Sequence, residues 1–211
     1  MPRERAQALL IDLDGVLRRW DPAPMIAVEV ANGLKPAALL ETAMAWDIYR
    51  PAMSGEITDA EWMELVASRL PLDIEVARAA VAEWQTYRGE PDPEVLAFVR
   101  EVRAAGRKVG LATNATDRLR GDLETLGLAD EVDVVISSWE IKAHKPAPEF
   151  FEKACDLIGL PPKLVLFIDD DDRAVRGARV AGLAAYRWSG PQHLDYLRKA
   201  LDIPPTALKT D

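Results

Sequence analysis

Ala8-Leu9-Leu10-Ile11-Asp12-Leu13-Asp14-Gly15-Val16 is the stretch that decides the fold of this chain. Four apolar residues run without interruption; two carboxylates follow two residues apart, and a glycine closes the segment. An unbroken apolar run this short suits a strand covered on both faces, as in a parallel sheet, and Asp-Gly at its end suits a tight turn. Similar runs stand at residues 109–112, 132–136, 164–168 and 184–188. Helical patterns alternate with them. Asp92 and Pro93 open one, whose buried stripe is Val95, Leu96, Phe98, Val99 and Val102 and which Gly106 ends. Others fit 116–126, 148–158, 173–181 and 191–201.

The stretch 18–89 reads differently. It offers no convincing strand but four helical candidates, near 25–31, 36–47, 59–69 and 74–85. Thr58-Asp59-Ala60-Glu61 forms a capping box, and Asp73 is placed to cap the fourth helix. Strand–helix alternation with right-handed crossovers predicts an α/β protein. The expectation is a Rossmann-like, doubly wound parallel sheet core from 1–17 and 90–211, with an inserted α-helical cap domain over 18–89.

Composition narrows the function. The 211 residues hold 26 Lys and Arg against 35 Asp and Glu, a net charge of −9. An acidic surface repels a phosphate backbone, so a nucleic-acid partner is not expected. The apolar run at 8–11 is too short for a signal peptide or a bilayer span, so no membrane partner is expected either. Cys155 is the sole cysteine; no intrachain disulfide can form, which favours a cytoplasmic setting. Two histidines and one cysteine exclude a His/Cys zinc site, leaving carboxylates to hold any metal.

Four pieces carrying chemistry each follow an expected strand. They are Asp12 to Val16, Thr113-Asn114, Lys145-Pro146 and the run Asp169-Asp170-Asp171-Asp172. In open α/β sheets ligands bind beyond the carboxyl ends of the strands, where such pieces converge. Singly, each has a plain alternative: a turn, a helix cap, a solvated lysine, an acidic surface loop.

In this order the pieces, reading LLIDLDGV, LATN, HKPAPEFF and FIDDDDRAVRGARVAG, resemble the haloacid dehalogenase superfamily of hydrolases. The resemblance spans about residues 9–182 and is closest to the branch with a helical cap after the first strand. The double-Asp form of the last motif is similar to that of sugar-phosphate phosphatases. The resemblance implies a Mg²⁺-dependent phosphatase acting on a small-molecule phosphate ester. Asp12 would be the nucleophile, Asp14 the acid–base and Lys145 a charge on the phosphate and the nucleophile. Thr113, Asn114 and nearby amides would hold phosphate oxygens, and Arg18 is a further substrate-binding candidate. Metal ligands would be Asp12, the Asp14 backbone carbonyl and Asp170, with Asp169 and Asp171 as additional candidates.

A phosphate dianion repels a carboxylate nucleophile, so such a site must gather positive charge before attack. As the family is known, members that attack carbon–halogen bonds lack the acidic residue at the position of Asp14, so Asp14 argues for phosphorus chemistry. A dehalogenase, a phosphomutase and a non-catalytic phosphoryl-binding module remain the alternatives. Ala174 departs from the pattern: many relatives carry Asp or Asn there to support the metal site. Trp20, Trp46, Trp62 and Trp84 suit either a stacking lid or the core of a small helical bundle. Arg18 and Arg19 open the hinge, facing either the cleft or solvent.

Overall fold

Strand β1 (Ala8–Ile11) is fully buried, with every residue at 0% exposure. The computed structural model describes residues 5–203; the remainder of the expected core, 1–4 and 204–211, lies outside the described residues. After β1 come the two-residue β2 (Arg18–Arg19) and five helices: α1 (Pro22–Ala31), α2 (Ala38–Ala43), α3 (Trp46–Met53), α4 (Asp59–Arg69) and α5 (Ile74–Trp84). β3 (Glu90–Pro91) returns the chain to the sheet. The alternation then runs α6 (Pro93–Ala104), β4 (Lys108–Thr113), α7 (Leu119–Thr125), β5 (Val134–Ser137), α8 (Ser138–Ile141), α9 (Pro148–Ile158), β6 (Val165–Asp169), α10 (Asp172–Val180), β7 (Ala184–Arg187) and α11 (Leu194–Ala200).

The main sheet has the order β5-β4-β1-β6-β7, with every pairing parallel. Side-chain alternation explains the continuous apolar runs. Leu9 and Ile11, with Val109, Leu111, Leu166 and Ile168, pack into one core beside Phe98 of α6 and Leu197 of α11. Ala8 and Leu10, with Ala112, Val165 and Phe167, pack into a second core beside Phe150 and Phe151 of α9. Both faces are covered, so strand residues of either parity must be apolar. Asp92 caps α6 by accepting from the amides of Glu94 (2.9 Å) and Val95 (3.1 Å).

Helices α1–α5 enclose a core of their own, including Leu39, Met63, Val66, Ala77 and Ala80. The capping box at Thr58 and Glu61 is present, and Asp73 accepts from the Glu75 amide. The single helix expected over 36–47 is instead two. The buried Glu29 carboxylate accepts from the amides of Ala37 (2.6 Å) and Leu39 (2.8 Å), which starts α2 late; the chain then turns at Met44–Ala45 into α3. That cap comes from another helix, so no local pattern announces it. The 18–89 stretch also carries one strand at its start: β2 pairs antiparallel with β3, a ribbon too short to show alternation. The helix expected over 116–126 begins only at Leu119; Thr116, in the loop before it, donates its hydroxyl to Asp59 (2.8 Å). The start of the last helix, Pro191–His193, is a 3₁₀ turn.

Candidate active site

Parallel strands bring all their carboxyl ends to one edge. There Asp12 leaves β1, its amide donating to the Ile168 carbonyl of β6 (3.0 Å), while Thr113 ends β4 and Asp169 ends β6. Lys145 enters from the loop between α8 and α9. Its Nζ lies 2.8 Å from Asp12 Oδ1 and 2.6 Å from Asp169 Oδ2. The Leu13 amide also donates to Asp12 Oδ1 (2.8 Å), so two donors fix the orientation of this carboxylate. Asn114 holds the lysine in place: its Oδ1 accepts from the Lys145 amide (2.8 Å) and its Nδ2 donates to the Lys145 carbonyl (3.1 Å). The Asn114 side chain thus braces Lys145. Thr113, 1% exposed, lines the same cavity.

Burial raises the pKa of Asp12; Lys145 opposes that shift and Asp169 adds to it. Burial alone would depress Lys145, but Asp12 and Asp169 outweigh it and hold the ammonium above its ordinary range. Asp170 is raised by burial and then by Asp169. Carboxylate oxygens of Asp12, Asp169 and Asp170 lie within 4.8 Å of one another. One lysine among three crowded carboxylates leaves excess negative charge, and an all-oxygen donor set suits a hard cation such as Mg²⁺. Gly15 makes room for this cluster. Its φ is +78°, and a Cβ there would sit 2.2 Å from Asp170 Oδ2.

The other acidic candidates have visible protein contacts. Asp169 Oδ1 accepts from the Asp171 amide (2.7 Å), so Asp169 is clamped between that amide and Lys145. Asp171 caps α10 by accepting from the Arg173 amide (2.9 Å). Ala174, 2% exposed, packs into the second core and offers no ligand or hydrogen bond from its side chain.

Asp14 points to a different set of groups. Its carboxylate accepts from Arg18 Nε (2.7 Å), Arg18 Nη2 (2.9 Å) and Trp20 Nε1 (2.6 Å). Arg18 is 6% exposed and also reaches Asp122. It faces the cleft and is no solvated hinge residue. Arg19 is the exposed one, paired with Asp92 (3.4 Å).

These residues line a cavity of about 640 Å³ between the strand tips and helices α1–α5. Trp20, Trp62 and Trp84 line it, whereas Trp46 stays 59% exposed with its ring edge-on to His144. Tyr49, Tyr87 and Arg88, which the sequence groups with these tryptophans as lid or cap-core residues, line the cavity too. Tyr49 of α3 packs on Trp62 at 5.6 Å between centroids. Burial, followed by the nearby Asp14 charge, pushes its phenol up to about 12. Asp59, Arg118 and Asp122, which the sequence did not assign to the site, form an ion-pair network on the cavity wall. Their only sequence signal is charge near a helix start, which is common on any surface.

The family model for haloacid dehalogenase-like hydrolases matches residues 6–182. Phosphatase MT3486 of Mycobacterium tuberculosis is 30% identical over 189 residues, 85% of each chain. The N-acetylmuramic acid 6-phosphate phosphatase of Pseudomonas aeruginosa is 29% identical over 99% of each chain. A HAD-family enzyme of Bacteroides thetaiotaomicron, solved with magnesium and inorganic phosphate, shares the fold with a TM-score of 0.68 at 24% identity, over 87% of this chain and 94% of its own. Among the described residues no helix is long and apolar enough to cross a membrane.

Proposed function

Given that the chain belongs to the haloacid dehalogenase-like hydrolase family, we propose that it is a Mg²⁺-dependent phosphatase of small phosphorylated metabolites. The observation that carries this reading is the meeting of Asp12, Lys145, Asp169 and Asp170 at two strand tips and one loop, on a single cavity. Similarity to two phosphatases, one of them acting on a sugar phosphate, supports it.

Asp12, the Asp14 carbonyl and Asp170 are the residues that would hold Mg²⁺, with Asp169 beside them clamping the lysine. When bound, the ion would neutralise charge on the phosphoryl oxygens and on the nucleophile. Lys145 keeps a fixed positive charge against Asp12 and supplies part of that neutralisation even in the bare protein. Asp12 attacks phosphorus, the bond to the ester oxygen breaks, and an aspartyl-phosphate forms on Asp12. Asp14 delivers a proton to the departing alkoxide, then takes one from the water that attacks the aspartyl-phosphate. Phosphate leaves, the Asp12 carboxylate is regenerated and Asp14 is protonated again. Such acid–base assistance is worth about 10²–10⁴-fold. Thr113 and the backbone amides near Leu13 and Asn114 hold the phosphoryl oxygens.

The test is phosphate release from p-nitrophenyl phosphate by the intact protein, with Mg²⁺ and with excess EDTA. Release that requires the metal and is lost in Asp12→Asn is the expected result. Metal-independent release of halide from a 2-haloacid, without phosphatase activity, would overturn the reading.

A further inference from the structure

Beyond the strand tips, most polar side chains on the cavity wall already have a protein partner. The Trp62 indole N–H donates to the Ala43 carbonyl (3.0 Å) and that of Trp20 to Asp14 (2.6 Å). Asp59 accepts from the Thr116 hydroxyl (2.8 Å) and from Gln85 Nε2 (3.0 Å). Asp122 lies within 3.5 Å of Arg18, Arg88 and Arg118. The polar atoms left over are few. Trp84 Nε1 and Arg88 Nη2 are buried donors without a partner, and the Tyr49 hydroxyl adds a third group. The wall also includes Met25, Leu40, Met44, Met63 and Leu119.

A polyhydroxylated leaving group would bring a donor and an acceptor on each hydroxyl. Stripping their water without replacing every bond is costly. An apolar group gains by the same transfer. A second observation points the same way. Leu40 and Met44, on the cavity wall, remain 45% and 48% exposed, large apolar surface that no described residue covers.

We propose that the preferred substrate is a phosphomonoester whose leaving group is predominantly apolar, an aromatic or branched aliphatic alcohol with at most one or two hydrogen-bond acceptors. The helical wall selects it by burial. This deepens the phosphatase reading and rests on it.

Benzyl phosphate and glucose 6-phosphate are both esters of primary alcohols, so comparing them isolates the leaving-group surface from the chemistry. With Mg²⁺ present and released phosphate measured, kcat/KM for benzyl phosphate is expected to exceed that for glucose 6-phosphate by about ten-fold or more. Met44→Gln and Leu40→Gln, changes at half-exposed positions, are expected to lower that ratio several-fold. Equal or reversed preference overturns the proposal and leaves the phosphatase standing, as does a ratio unmoved by both substitutions. No release from either ester or from p-nitrophenyl phosphate overturns the phosphatase reading, and the proposal with it.

Discussion

The two ends of the cavity are built by opposite means. At the sheet end, backbone register does the positioning: β1, β4 and β6 are locked in parallel, and each strand places one polar residue at its tip. All three, Asp12, Thr113 and Asp169, are buried, and the two carboxylates are crowded against Lys145. At the helical end no backbone ladder sets the wall; side chains of α1–α5 packing against one another do so, and the wall is mostly apolar. The first end fixes a reaction and tolerates little change. The second fixes what fits beside the reacting phosphate and can be altered without touching the chemistry.

That contrast can be broken by substitution. Asp12→Asn keeps the shape but removes the carboxylate proposed to attack, and a loss of roughly 10³-fold or more in kcat is expected from the phosphate-release assay. Asp170→Asn should reduce activity by roughly 10²-fold and abolish the response of thermal stability to Mg²⁺. In the unaltered protein, saturation at about 100 times Kd should contribute about 2.7 kcal/mol by binding only the folded state. An unchanged melting shift in the variant would place the ion elsewhere.

Lys145→Met tests the sheet end by stability. It strands the Asp12 and Asp169 carboxylates in a buried site. A loss of about 3–5 kcal/mol in urea unfolding without metal is expected, and a loss under about 1 kcal/mol would show that water reaches the cluster freely. Thr58→Ala tests the helical end. Removing its half of the capping box should cost about 1 kcal/mol, with kcat on p-nitrophenyl phosphate little changed.

The smallest effect concerns Cys155, which lies in the second core away from the cavity. Burial, then the Asp156 charge, pushes its thiol up to about 11. The thiol is therefore protonated at neutral pH, and only the rare thiolate reacts. Modification by a disulfide reagent should be slow at pH 8 and quicken steadily as pH rises toward 11, with activity unaffected. Fast labelling at pH 7 would mean that α9 opens readily.

The sequence was informative to unequal degrees at the two ends. Residues 8–11, 59–69 and 148–158 coincide with β1, α4 and α9 because each combines an apolar pattern with a local stop or cap. The strand-tip residues were legible for the same reason, since each follows such a run. The hydrogen bonds of Asn114 to Lys145 were not, because they join segments 31 positions apart. Nor was the break between α2 and α3, which depends on Glu29 reaching across from α1. Tyr49 enters the cavity only because α3 is a separate helix. The pairing of Asp14 with Arg18 could have been suspected from their four-residue spacing, but only the ribbon of β2 and β3 turns Arg18 inward.

The most direct test of the account is to acid-quench the protein during turnover of p-nitrophenyl phosphate with Mg²⁺ and examine its peptides by mass spectrometry. The account predicts the mass of one phosphoryl group added to the peptide carrying Asp12, and no addition in Asp12→Asn. A phosphoryl group on any other residue, with turnover undiminished in that variant, would contradict it.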